Sequence, residues 1–158
     1  MKNSALLILL FCLSFTQAQK KQVLYDIIEQ VSSARLEKDI NTLVNFGTRH
    51  TLSDTLSKSR GIGAARRWIK SEFETISKNC NDCLEVFYQK NYFTPKDGDR
   101  IVKPVWINNV VAIQRGKTHP NRFIIMSGDI DSRISDPTNY TNDSPGANDN
   151  ASGIAGTI

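Results

Sequence analysis

Apolar positions recur along the first half of the chain at intervals of three and four. Val23, Leu24, Ile27, Ile28 and Val31 make one stripe, Leu36, Ile40, Leu43 and Val44 a second, and Ile62, Ala65, Ile69, Phe73 and Ile76 a third. That spacing predicts three amphipathic helices. Ser33 offers a cap for the second helix and Gly47 a stop. The polar stretch from Thr48 to Arg60 separates it from the third, whose Arg66, Arg67 and Lys70 are expected to face solvent. Gly61-Ile62-Gly63 opens that helix, but no strand leads into it, so it does not read as a phosphate loop. The period then changes. Leu84 to Tyr88 half-alternates, Val105 to Ile113 is rich in β-branched residues, and Phe123-Ile124-Ile125-Met126 is a continuous apolar run, the pattern of a strand buried on both faces. Asn91 to Lys103 and Gln114 to Asn121 are turn-rich connectors. Helices first, then strands feeding a last helical segment, predict one layered α/β domain.

Composition adds little beyond this. The 158 residues carry 20 Lys+Arg against 16 Asp+Glu and are 39% hydrophobic, which fits a globular protein and excludes collagen-like, coiled-coil and low-complexity classes. The basic residues never run longer than two, so the net charge of +4 predicts no nucleic-acid partner. The N-terminus changes the picture more. Lys2, the apolar run Ala5 to Leu13 and Thr16-Gln17-Ala18 have the layout of a signal peptide over residues 1–18, leaving 19–158 as the mature chain. The run is too short to span a bilayer. An exported protein with no membrane association after signal removal is expected, secreted or periplasmic.

Export bears on the cysteines. Of the three, Cys12 lies in the signal, which leaves Cys80 and Cys83 in Cys-Asn-Asp-Cys. An oxidising compartment favours a local disulfide; the same spacing also occurs in thioredoxin-type redox pairs. Structural zinc would need four ligands, and no second Cys pair or His cluster lies nearby. The two mature histidines, His50 and His119, read as structural or solvent-exposed. Asn139-Tyr140-Thr141, Asn142-Asp143-Ser144 and Asn150-Ala151-Ser152 fit the glycosylation pattern, a frequent chance match.

The chemistry-bearing residues follow the last apolar run. In Ser127-Gly128-Asp129-Ile130-Asp131-Ser132, alternation along a strand puts Asp129 and Asp131 on one side. Ligands of open α/β sheets bind beyond the carboxyl ends of strands, and two carboxylates emerging there need a cation or hydrogen bonds to offset their repulsion. Ser144-Pro145-Gly146-Ala147-Asn148-Asp149-Asn150-Ala151-Ser152-Gly153 comes next, with Asp149 or Asn150 where a helix would begin. Spacing leaves two readings open there, an Asp cap on a helix and a metal ligand.

These two segments resemble the metal-binding core of the secreted two-zinc aminopeptidases, family 28 of the metallopeptidases, which also holds aminopeptidase Y and glutamate carboxypeptidase-like proteins. Gly47-Thr48-Arg49-His50 and Gly61 to Ile69 are similar to that family's N-terminal helices, and the likeness spans roughly residues 24–158. It implies a layered zinc-exopeptidase-like α/β domain with a mixed, largely parallel sheet between helices, of which this chain is the N-terminal part. By position, Asp149 would bridge two zinc ions and Asp131 would orient a metal ligand as the catalytic acid behind it. Position 129 departs from the family pattern, which has His there. Asp129 can still ligate zinc, and its harder oxygen shifts preference towards Mn²⁺ or Mg²⁺. The resemblance places a Glu-Glu pair, an acidic ligand and a late His beyond Ile158, so the chain alone is expected to be inactive. For the whole enzyme it implies metal-dependent removal of N-terminal residues from peptide substrates. The alternatives are a non-catalytic exported module with a degenerate site, and a redox module on Cys80 and Cys83.

Overall fold

A computed structural model describes residues 22–158. The signal-peptide reading of residues 1–18 lies outside the described residues. The chain divides into two units, Met1–Arg35 and Leu36–Ile158. In the first, α1 covers 22–29, as its stripe predicts. Its apolar side chains do not form a buried face: Val23, Leu24, Ile27, Ile28 and Val31 are all exposed.

The second helix, α2, is Ser33–Asn45. Ser32, rather than Ser33, caps it: its Oγ accepts from Arg35 N at 3.2 Å. Gly47, at φ +71°, ends the helix as expected, because a left-handed turn is open to glycine at no steric cost. α3 is Gly61–Asn79. Its two leading glycines serve close packing. A Cβ on Gly61 would lie 2.4 Å from the Asp54 carbonyl oxygen, and one on Gly63 2.2 Å from that of Thr55, so the preceding loop lies directly on the helix start. Ser53 Oγ accepts from Ile62 N at 2.9 Å and satisfies one of the amides left free there.

β1 (Leu84–Phe93) and β2 (Val105–Gln114) form an antiparallel hairpin in which Tyr88 faces Val110 and Tyr92 faces Trp106. A wide turn over Ala147–Ala151 leads into the single-turn helix α4, Ser152–Ala155. Leu43, Ala65, Ile69, Ala151 and Ile154 make the core, with Trp68, Val110 and Ile130 packed against them. Leu43, Ile69 and Ile154 each contribute roughly 1.5–3 kcal/mol on burial. Cys80 and Cys83 are joined as a disulfide across the turn at Asn81 and Asp82, in agreement with the local reading of that pair.

Two expectations change. Phe123, Ile124, Ile125 and Met126 are 78%, 95%, 86% and 68% exposed and form no strand. A strand needs a neighbour for its amides and carbonyls, and among the described residues the hairpin strands pair with each other. Among the described residues the sheet is therefore two-stranded and antiparallel where a mixed, largely parallel sheet was expected, and a parallel bridge joins Thr48 to Ser144. The other change concerns Arg66, which is half-buried beside the hairpin and not turned to solvent. Its carbonyl accepts from the Tyr88 hydroxyl at 3.3 Å.

Candidate functional site

The two motif segments are joined to the end of α2 by a buried polar network. Ser132 Oγ donates to the Ser144 carbonyl at 2.6 Å and accepts from Arg49 N at 3.1 Å, while Ser144 N donates to Gly47 O at 2.8 Å. Thr48 Oγ1 and Ser144 Oγ share a further bond of 3.0 Å. Arg49 is the centre of this network and is fully buried. Its Nε donates to Ile130 O at 3.0 Å, Nη1 to Leu43 O at 3.0 Å and Pro145 O at 2.6 Å, and Nη2 to Gly146 O at 2.9 Å. One planar guanidinium thus ties the Asp129–Asp131 segment to the turn that carries Asp149. Burial pulls the Arg49 pKa below its ordinary value, and the charges of Asp131 and Asp149 oppose that shift.

Glycines permit the close approach. Gly146 is left-handed at φ +51°, and a Cβ there would lie 2.6 Å from Ser132 Cβ and 2.9 Å from Arg49 Nη2. Gly128 lies so near the start of α4 that a Cβ would meet the Gly153 carbonyl carbon at 2.8 Å. These contacts hold the two segments side by side.

The three aspartates are all exposed. Asp129 and Asp131 line one cleft with Thr51, Arg66, Trp106 and Asn108, as their shared side predicts. Thr51 Oγ1 donates to Asp131 Oδ2 at 3.2 Å. Asp149 does not line that cleft. The capping question at Asp149 and Asn150 is answered by Asn150, whose Oδ1 accepts from Gly153 N at 2.8 Å. Among the described residues no hydrogen bond engages the Asp149 carboxylate, which leaves it available to an ion. The Asp149–Asn150 peptide is cis.

The donors present are hard oxygens, suited to a divalent cation. Among the described residues, however, no three His, Cys, Asp or Glu side chains come together as a metal-binding group. They fit part of a ligand set and do not complete one. His50 is no ligand: it is buried, its Nδ1 accepts from Leu52 N at 3.0 Å and its Nε2 donates to Pro137 O at 3.0 Å. His119 is exposed in a connector. Both match the structural reading.

Residues 109–158, which contain both aspartate motifs, match Peptidase family M28. This segment belongs to that family. The chain is 46% identical over 129 residues to a probable zinc metalloprotease of Leptosphaeria maculans, covering 82% of this chain and 30% of that protein. A second, from Pyrenophora tritici-repentis, is 41% identical over 132 residues, covering 84% and 30%. A third, from Pyricularia oryzae, is 44% identical over 126 residues, covering 80% and 25%. The chain thus spans about 30% of the length of the first two relatives. No solved structure gives a significant match.

The M28 match includes Asp129, Asp131 and Asp149, but the residue that organises them lies outside it. Arg49 carries no periodic or compositional signal. It stands in the sequence only as part of Gly47-Thr48-Arg49-His50, and its partners are carbonyl oxygens, which every residue has.

Proposed function

We propose that this chain is part of an exported M28 metallopeptidase that removes N-terminal residues from peptides, with Asp129 and Asp149 as zinc ligands. Zinc at such a site polarises the scissile carbonyl and activates water. The chain's own contribution is placement. Asp149 offers a carboxylate with no competing hydrogen bond, while Asp131, held by Thr51 Oγ1, orients a neighbouring ligand. Arg49 fixes the segments that carry them. That clamp is the observation on which the reading rests.

The remaining ligands and the general base belong, in this reading, to sequence outside these 158 residues, which also completes a mixed, largely parallel sheet. The share of the relatives' length that the chain spans supports this. The Lys2-to-Ala18 pattern supports a secreted or periplasmic location. Two ions are expected in the whole enzyme, and Asp129 favours Mn²⁺ or Mg²⁺ more than a His would.

Calorimetric titration of the chain with Zn²⁺ tests the site. Asp149→Ala is expected to weaken binding at least about tenfold, while Asp136→Asn, an exposed carboxylate elsewhere, leaves it unchanged. Zinc binding that ignores Asp149→Ala would remove the ligand assignment. A second reading, a non-catalytic exported module, is favoured by Asp in place of His at 129 and by the incomplete ligand group. The 158-residue chain is expected to leave aminoacyl amides intact, and metal-dependent hydrolysis by it would overturn that.

A further inference from the structure

Arg66, Trp106 and Asn108 line the Asp129–Asp131 cleft and also a wider groove of about 1120 Å³ next to it. The groove is the end of the hairpin face that α3 leaves uncovered. Register places Lys90 opposite Asn108 and Tyr92 opposite Trp106, and alternation puts all four on the face that Tyr88 and Val110 present to α3. The loop from Leu52 to Leu56 forms the facing wall, with Lys103 and Tyr140 at the rim.

Its charge is one-sided. Arg66, Lys90 and Lys103 all line the groove, and none takes part in the ion pairs found among the described residues. The one carboxylate of the lining, Asp54, is engaged by the amides of Leu56 at 2.6 Å and Ser57 at 2.9 Å. Lys103 Nζ stands 3.9 Å from the centre of the Tyr140 ring, so its ammonium is held over an aromatic face. Burial also pulls the Arg66 pKa down, and the neighbouring Arg67 charge adds to that while Tyr88 opposes it.

The cations along the groove specify a ligand that carries carboxylates. We propose that this groove binds acidic peptides, their side-chain carboxylates on Arg66, Lys90 and Lys103. The proposal rests on the peptidase reading, since it names the substrate class that reaches the Asp129–Asp131 cleft from the groove it opens into. Tyr92 and Trp106, whose rings are 5.1 Å apart, supply an apolar floor for the peptide's aliphatic stems.

Calorimetry in metal-free buffer separates the possibilities. The peptide Ala-Glu-Glu-Ala is expected to bind about tenfold more tightly than Ala-Gln-Gln-Ala, the range of a charge-assisted bond. The double variant Lys90→Gln/Lys103→Gln should abolish the difference, and Lys90→Gln alone, at an exposed position, should reduce it with thermal unfolding unchanged. Lys117→Gln/Arg122→Gln removes the same charge outside the groove and should preserve it. Equal affinities for the two peptides overturn the proposal, and so does equal loss in both double variants, which would mean general attraction to a basic chain. Because no metal is present, failure here leaves the zinc titration of Asp149→Ala untouched. Conversely, an acidic preference together with zinc binding that ignores Asp149→Ala would sink the ligand assignment alone.

Discussion

Arg49 illustrates how much one side chain can decide. Among the described residues no carboxylate pairs with its guanidinium at bonding distance; carbonyl oxygens of Leu43, Ile130, Pro145 and Gly146 take its bonds. The charge is tolerated in the core because those dipoles and the nearby Asp131 and Asp149 offset part of its lost hydration. A lysine could not replace it, since a single ammonium cannot reach three chain segments in one plane. Arg49→Met leaves buried carbonyls unpaired and is expected to lower unfolding free energy by about 3 kcal/mol or more. Arg49→Lys should fall in between. Urea unfolding measures both, and a loss below about 1 kcal/mol for Arg49→Met would show that water replaces the guanidinium. Asn150 is a second case at this scale. Its neighbour Asp149 has the same capping chemistry, and which of the two serves the helix follows from backbone angles that composition does not encode.

At the scale of elements, the loop from Leu52 to Arg60 depends on the start of α3 as much as the helix depends on it. Asp54 Oδ1 accepts from Leu56 N and Ser57 N, and these bonds hold its carboxyl below the usual carboxylate value. Arg67 then reaches back to the Thr55 and Ser57 carbonyls. A lowered folded pKa means that the unfolded chain binds more protons, so this stability is present above the unfolded pKa and is lost as pH falls through the folded one. Thermal melts between about pH 5 and pH 2 are therefore expected to fall more steeply in the parent chain than in Asp54→Asn. Identical slopes would show that the carboxylate contributes nothing to the folded loop. Helix periods were legible here: α1, α2 and α3 lie where their apolar stripes predict, because an i, i+3, i+4 pattern has few other uses. The cap at Ser32, one residue before the expected Ser33, was not, since adjacent serines are alike until the backbone chooses one.

At the scale of the whole molecule, Phe123–Met126 is a run of four exposed apolar side chains. Four consecutive apolar side chains on backbone outside any sheet form a template for pairing with another chain. The chain is expected to self-associate with rising concentration, and the double substitution Ile124→Lys/Ile125→Glu should restore a monomer. Sedimentation velocity reads this directly; a parent chain that stays monomeric throughout would show that the run is shielded in solution. The same run is where sequence reading and structure part most clearly. Its composition specifies a strand buried on both faces, but burial and pairing depend on neighbours, and the described residues supply none.

The sequence by itself therefore determined what depends on local spacing and chemical type: three helices, two strand segments, the Cys80–Cys83 link, and the M28 likeness of the segment that carries the aspartates. Tertiary structure alone decided what depends on residues far apart in the chain. It put Arg49 on the carbonyls of Ile130, Pro145 and Gly146, gave the capping bond to Asn150, and gathered Arg66, Lys90 and Lys103 along one groove. Hydrogen bonds to backbone oxygens carry no residue signature, and like charges from three elements meet only when the chain has folded around them.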